Sequence, residues 1–229
     1  MKRLFNYFTK FEICLWTASV SLILLSFCIF DKENYLTLIA SIIGATFLIF
    51  NAKGNPIGQF LTIVFSILYG IISYSFSYYG EMITYLGMTM PMALFALISW
   101  LKNPYQKGKA EVKVNRLSKK EILFMLVLTL IVTFVFYFIL EYFNTANIIP
   151  STISVTTSFL AVYLTFRRSP YFALAYAMND LVLIILWVLA TKTQISYLSV
   201  VICFAVFFVN DMYGFINWKK IEKRQNNKM

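Results

Sequence analysis

Histidine is absent from this chain of 229 residues, and Asp and Glu together number only ten. Histidine is the commonest metal ligand and the only side chain whose unperturbed pKa lies near neutrality. Its absence, combined with the lack of a dense carboxylate motif, argues against metal-dependent catalysis. We therefore expect neither a metal site nor a cofactor.

Cysteine is also scarce. Cys14, Cys28 and Cys203 lie within apolar runs at unrelated spacings, which fits neither a disulfide framework nor a metal-ligand pattern. A nucleotide-binding loop of the Gly-x-x-x-x-Gly-Lys-Ser/Thr kind is missing as well, so energy from ATP would have to come from another protein.

Apolar residues dominate what is present. The chain is 60% hydrophobic and 18% aromatic but only 13% charged, which is too apolar for a water-soluble core of this size. Lipid cannot satisfy free backbone groups, so each apolar stretch of about 20 residues is predicted to cross the bilayer as a helix. The sequence predicts an all-α integral membrane protein with an uncleaved first span and eight hydrophobic stretches: Phe11–Phe30, Tyr35–Phe50, Gln59–Tyr79, Met82–Leu101, Ile122–Phe143, Ser151–Phe166, Tyr171–Ala190 and Ile195–Trp218.

The basic residues predict the orientation. When the eight stretches are threaded through a membrane, only Lys32 and Lys192 fall outside, and the other eighteen of the twenty Lys and Arg residues fall inside. Cytoplasmic loops carry such an excess, which predicts that both termini of this multi-pass membrane protein lie in the cytoplasm. The net charge of +10 is thereby explained by topology and by contact with anionic lipid, so no nucleic-acid partner is expected.

A weak internal repeat is visible on either side of the polar loop Lys102–Glu121. Ile98-Ser99-Trp100 echoes Ile216-Asn217-Trp218, and internal duplication is typical of transporters. We predict two three-helix units joined by a linker helix, preceded by one extra N-terminal helix. The corresponding division is 1–30 for the N-terminal helix, 31–101 for the first bundle, 102–149 for the basic loop and linker helix, 150–218 for the second bundle, and 219–229 for a basic tail.

Polar side chains at membrane depth indicate a site. Asn179-Asp180 and Asn210-Asp211 come level in the last two stretches, and Tyr213 and Asn217 share a helical face with Asn210. An Asp at the centre of a spanning helix costs about 2.5–3.5 kcal/mol, so both Asp residues should face protein or water. We interpret these residues as part of a solute pathway. The alternative is that they only form hydrogen bonds between helices, at about 0.6 kcal/mol each.

Further candidates surround these pairs. Aromatic rings expected to sandwich a flat solute are Phe172, Tyr176, Trp187 and Tyr213. Residues expected to line a cavity or form a gate are Gln59, Thr62, Tyr69, Glu81, Tyr85, Thr89 and Pro91.

Three stretches resemble the PnuC family of bacterial vitamin transporters. They are Tyr79-Gly80-Glu81-Met82 followed by Pro91, Ser158–Arg168 leading to Asn179, and above all Asn210-Asp211-Met212-Tyr213-Gly214-Phe215-Ile216-Asn217-Trp218. The resemblance implies a SWEET-like fold of two parallel three-helix bundles and a linker helix, assembled as a homotrimer. It also implies that Asn179, Asn210 and Tyr213 contact the ligand.

The function implied by the resemblance is uptake of nicotinamide riboside by facilitated diffusion, made one-way by a cytoplasmic kinase that phosphorylates the substrate. One departure concerns the substrate: family members that take this riboside tend to have Trp-x-x-Trp where this chain has Phe172-x-x-Ala175. A deoxynucleoside, thiamine or riboflavin is therefore an alternative. Rivals of other classes are a membrane-embedded enzyme that uses Asp180 and Asp211, a passive channel, and a non-transporting receptor.

Overall fold

The computed structural model describes residues 7–75, 79–145 and 147–227. Within these ranges lie eight helices that are long and apolar enough to cross a membrane, which confirms the predicted all-helical membrane fold. Lys2, Arg3 and Lys228, which contribute to the predicted charge asymmetry, lie outside the described residues. The helices are α1 Lys10–Asp31, α2 Tyr35–Ala52, α3 Pro56–Ser75, α4 Tyr79–Lys102, α5 Lys119–Tyr142, α6 Ile148–Phe166, α7 Phe172–Ala190 and α8 Leu198–Asn226.

The second and sixth apolar stretches, Tyr35–Phe50 and Ser151–Phe166, are shorter than about 20 residues in the sequence. In the structure both belong to longer helices. Helix α2 has 18 residues and α6 has 19, because α6 begins at Ile148 and accommodates Pro150 in its first turn. Proline is tolerated there because the first N–H groups of a helix have no acceptor within the helix. Tyr79 begins α4, whereas the hydropathy pattern assigned it to the end of the preceding stretch.

Helix α4 is interrupted in its middle by a π-helical turn, Thr84–Thr89. The turn comes directly before Pro91, which has no N–H to donate to the preceding turn, and the N–H of Met90 reaches back five residues to the Tyr85 carbonyl. Such turns are frequent at functional sites. Here the turn presents Tyr85 and Thr89 to the interior.

The helices pack in a pattern that repeats along the chain. Helices α2, α3 and α4 pack in succession, as do α6, α7 and α8, and the two groups meet where α8 packs on α2 and α4 packs on α6. Helix α1 packs on α2 and α8, and α5 packs mainly on α6. The division into three-helix bundles with a linker helix stays a prediction, but these pairings are compatible with it.

The two tryptophans of the internal sequence repeat, Trp100 and Trp218, are buried and make equivalent hydrogen bonds. The Trp100 indole N–H donates to the Thr165 carbonyl at 2.9 Å, and the Trp218 indole N–H donates to the Asn51 carbonyl at 2.8 Å. Each accepting carbonyl belongs to the last turn of α6 or α2, where carbonyls lack partners within the helix.

The residues before the two tryptophans make equivalent bonds. The Ser99 hydroxyl donates to the Phe166 carbonyl at 3.0 Å, and the Asn217 amide donates to the Ala52 carbonyl at 2.8 Å. The two halves are therefore joined by two equivalent pairs of hydrogen bonds, one pair from Ser99 and Trp100 and the other from Asn217 and Trp218. The indole rings of Trp100 and Trp218 also contact each other, with centroids 5.4 Å apart.

The loop between α4 and α5 lies across the end of the molecule where these tryptophans are found, which we call the basic end. The Val112 N–H donates to the Gly54 carbonyl, and the Asn115 N–H donates to the Arg168 carbonyl, both at 3.0 Å. The Gln225 side chain of α8 binds the same loop: it accepts the Val114 N–H and donates to the Val112 carbonyl. The loop thus connects the turn before α3 with the turn before α7.

We expect the replacements Trp100→Phe and Trp218→Phe each to lower the free energy of unfolding by about 1–3 kcal/mol, because each removes a buried hydrogen bond from an indole to a helix carbonyl and leaves part of the space of the indole unfilled. Thermal unfolding of the purified protein in one detergent measures this loss.

The matched control is Trp16→Phe. The Trp16 indole also donates a hydrogen bond, to the Thr46 hydroxyl, but its side chain is 36% exposed. A loss for Trp16→Phe as large as the other two would contradict the special role of the buried pair.

Candidate functional site

A small cavity lies between the two halves of the molecule, bordered by helices α2, α3 and α4 on one side and α6, α7 and α8 on the other. Its volume is about 40 Å³. Among the residues predicted from the sequence, those that line it are Thr62, Tyr85, Thr89, Tyr176, Asn179, Asp180 and Asp211. The structure therefore brings together both predicted Asp residues and one of the three predicted Asn residues, Asn179.

Asn179 is fixed by three hydroxyl groups of α6. Its Oδ1 accepts hydrogen bonds from Thr157 at 2.8 Å, Ser158 at 3.1 Å and Ser154 at 3.3 Å. Because the amide oxygen is held against α6, the NH₂ group on the other side of the amide is left as the donor for a guest in the cavity. A fixed donor in an apolar wall is the kind of group that orients a ligand.

The two carboxyl groups face each other across the α7–α8 interface. Asp180 and Asp211 are both buried, at 4% and 5% exposure, and lie within hydrogen-bonding reach of each other. Among the described residues, the Asp180 Oδ2 has no hydrogen-bond partner. Burying a carboxyl group without a donor is costly, so this oxygen marks a position where a guest with a donor or a positive charge is stabilised.

Aromatic clusters close the cavity on two sides. Towards the end opposite the basic end, Tyr69 lies against Tyr85 and Phe65, with ring centroids 4.4 and 5.5 Å apart. Towards the basic end, Phe172 packs against Trp218 at 4.9 Å and against Trp100 at 6.2 Å.

Asn210 and Tyr213 were predicted to bind substrate, but the structure places them on another face of α8, against α1. The Asn210 amide donates to the Ser19 hydroxyl at 2.9 Å, and the Tyr213 hydroxyl donates to Glu12 at 2.9 Å. Helical periodicity identified the shared face of these residues. It did not identify which face of α8 meets the cavity, because that depends on where α1 packs.

Other predicted residues have packing roles in this arrangement. Asn217 caps the end of α2, Phe172 belongs to the tryptophan cluster, and Gln59 donates to the Asn51 side chain at 2.8 Å. None of these three lines the cavity.

Tyr69 and Trp187 lie nearer the opposite end. They line a second cavity of about 20 Å³ together with Asp31, Asn34 and Tyr197. Glu81 is half-buried at the start of α4 and does not line either cavity. The positions of Tyr69 and Trp187 agree with a place on an access route to the central cavity.

Sequence reasoning missed most of the apolar wall. The additional lining residues are Phe47, Leu48, Phe65, Ser158, Leu183, Phe204 and Phe207. An apolar side chain that faces a cavity has the same sequence pattern as one that packs in a core, so no signal distinguished them. Ser158 was detectable only as one of several hydroxyl residues at helical spacing in α6.

A larger groove of about 260 Å³ opens on the molecular surface between α1 and α2. Its wall is almost entirely apolar, formed by residues such as Phe8, Ile13 and Phe50. A polar solute gains no hydrogen bonds there, so the smaller central cavity is the better candidate site.

Comparison with known proteins gives a consistent result. The nicotinamide mononucleotide transporter family matches residues 34–220. The nicotinamide riboside transporter PnuC of Neisseria mucosa is 26% identical over 98% of this chain and 87% of its own length, and PnuC of Haemophilus influenzae is 24% identical over 85% and 83%.

A solved structure, described as the crystal structure of the vitamin B3 transporter PnuC, has the same fold. Its TM-score is 0.82 at 23% identity, over 95% of this chain and 94% of that one. The family match spans well over half of the chain, and the predicted resemblance to PnuC is confirmed. This multi-pass membrane protein belongs to the nicotinamide mononucleotide transporter family, whose PnuC members are transporters and not enzymes.

Proposed function

We propose that this protein carries nicotinamide riboside across the plasma membrane. The observation that carries the proposal is the pair of facing carboxyl groups, Asp180 and Asp211, in an otherwise aromatic cavity. The nicotinamide ring of the riboside is a flat pyridinium cation, and its ribose offers hydroxyl donors. Aromatic faces attract such a ring, and a carboxylate stabilises both its charge and its hydroxyl groups.

The same two carboxyl groups disfavour binding of nicotinamide mononucleotide. Among the described residues, no lysine or arginine lines the cavity. A phosphate group would therefore enter a buried site without a basic partner and beside two carboxyl groups, which is strongly unfavourable at low dielectric. The relatives described as riboside transporters support the same choice.

The cavity has to expand to hold this substrate. About 40 Å³ accommodates a few water molecules, whereas pockets for drug-sized ligands measure roughly 300–1,000 Å³. Movement of Tyr85, Tyr176 and the phenylalanine side chains would create the space. We therefore interpret the structure as a closed state of a carrier that opens alternately to the two sides.

The remaining features of the transport cycle are carried over from the sequence and the family resemblance. The basic end faces the cytoplasm of a bacterial cell, transport is facilitated diffusion, and a cytoplasmic kinase traps the riboside. A homotrimer stays a prediction. Purified protein in proteoliposomes should equilibrate the riboside without accumulating it, and accumulation driven by a proton or sodium gradient would overturn this part.

A ligand series tests the substrate. We expect nicotinamide riboside to bind at least tenfold more tightly than nicotinamide mononucleotide, because the phosphate meets the carboxyl pair. Titration calorimetry on the purified protein measures both affinities, and equal or tighter binding of the mononucleotide would contradict the proposal.

The matched control ligand is the reduced riboside, which has nearly the same shape and no positive charge on the ring. We expect it to bind more weakly than the oxidised form. Preferential binding of an uncharged deoxynucleoside would identify the alternative substrate class.

Replacement of Asp180 with Asn tests the carboxyl pair directly. Asp180→Asn keeps the shape of the side chain and removes its ability to become a carboxylate beside a cation, so we expect the oxidised riboside to lose about tenfold in affinity while the reduced riboside changes little. The control Glu33→Gln removes one negative charge from an exposed loop, and both affinities should stay within twofold. A similar loss for both ligands would mean that Asp180 acts only through packing.

A further inference from the structure

The internal repeat extends to the first helix of each half. Thr9-Lys10-Phe11-Glu12 begins α1, and Ser118-Lys119-Lys120-Glu121 begins α5. In each, the hydroxyl of the first residue accepts the N–H of the Glu three positions later, at 3.2 Å for Thr9 and 3.3 Å for Ser118. The two helices thus start with the same N-terminal cap.

Each of these glutamates reaches an equivalent basic residue. Glu12 forms an ion pair with Lys53 at 3.0 Å, and Glu121 forms one with Arg167. Lys53 directly follows α2, and Arg167 directly follows α6.

The turns that follow these basic residues correspond position by position. Gly54 and Arg168, next in sequence, both have positive φ angles, of 63° and 55°. Asn55 and Ser169 then each accept a backbone N–H two residues further on, and Pro56 and Pro170 follow. The first turns of α1 and α5, and the turns that they contact, are therefore equivalent in the two halves of the chain.

The repeats differ where their first helices meet the opposite repeat, because α1 packs on α8 whereas α5 packs mainly on α6. Glu12 also accepts a hydrogen bond from Tyr213 of α8, which belongs to the other repeat. When the two tryptophans Trp100 and Trp218 are aligned, the residue of α4 that corresponds to Tyr213 is Phe95, which has no hydroxyl and is 53% exposed. The first repeat is thus bound across the interface by a hydrogen bond that the second repeat has no side chain to make.

We propose that Glu12 and Tyr213 form a clasp between the repeats, which holds the basic end closed and has to release when the carrier opens to that side. Glu12 is 2% exposed and is fixed by the Thr9 N–H at 2.7 Å as well as by Lys53, so it is a rigid acceptor. Along α8, Tyr213 lies between the cavity residue Asp211 and Trp218, but its hydroxyl bonds to Glu12 of α1 and it does not line the cavity. Tyr213 is accordingly a positioning residue for transport in this arrangement and does not touch the substrate.

This inference rests on the proposed carrier function, but its test needs no substrate. In a background without the native cysteines, Thr62→Cys places a reporter thiol in the cavity. A membrane-impermeant methanethiosulfonate is added to inside-out vesicles, and the rate of labelling reports how often the basic end opens. We expect Tyr213→Phe, which removes only the hydroxyl, to raise this rate about three- to tenfold, as loss of one interhelical hydrogen bond in a membrane predicts.

Glu121→Gln is the matched control. It weakens the equivalent ion pair in the other repeat, where Phe95 makes no bond to it, and should leave the labelling rate within twofold of the parent. Glu12→Gln, which keeps the cap but weakens both the ion pair and the clasp, should raise the rate in the same direction as Tyr213→Phe.

Two results would overturn the clasp. One is an unchanged labelling rate in Tyr213→Phe, and the other is an equal increase in Glu121→Gln. Binding of nicotinamide riboside, measured on the same variants, separates this from the substrate proposal: a large loss of affinity in Tyr213→Phe without faster labelling would place Tyr213 in the binding site. Failure of the parent protein to bind the riboside would contradict the substrate while leaving the labelling result valid.

Discussion

The cost of burying polar groups in a molecule surrounded by lipid decides most of this structure. In lipid, a free carbonyl or carboxyl group cannot exchange its partner for water, so it is stabilised by a partner within the protein or by a guest in an adjacent space. The last carbonyls of α2 and α6 are paired with Trp218 and Trp100. The Asp180 Oδ2 is left without a partner, and it lines the central cavity.

The duplicated scaffold positions an asymmetric site. The repeats share their caps, their ion pairs, their turns and their tryptophan bonds, which fixes the two halves in equivalent geometry around the cavity. The side chains that face the cavity are different in the two halves. Both halves contribute aromatic rings and hydroxyl groups, such as Phe65 and Thr62 from the first and Tyr176 and Ser158 from the second, but only the second contributes the amide and both carboxyl groups. A flat ring between the two halves would therefore meet its polar partners on one side.

Prediction from the sequence succeeded where the physical signal was strong and local. The eight spans followed from hydropathy, and the membrane cost of Asp180 and Asp211 correctly indicated that both face the interior. Prediction was less successful for Asn210 and Tyr213. Their spacing placed them on one face of α8, but that face packs on α1, a long-range contact between the first and last helices of the chain that periodicity does not contain.

The sequence by itself determined that this protein lies in a lipid bilayer, how many helices cross it, and which side chains are too costly to face lipid. These properties depend on hydropathy and on the free energy of transfer of single side chains. Only the tertiary structure decided which polar face meets the cavity, which aromatic rings form its wall, and that the first turns of α1 and α5 make equivalent contacts. Those properties depend on how helices that are distant in the chain pack against each other. The packing decides whether a given polar side chain faces the cavity, where it can contact a ligand, or forms a hydrogen bond between helices.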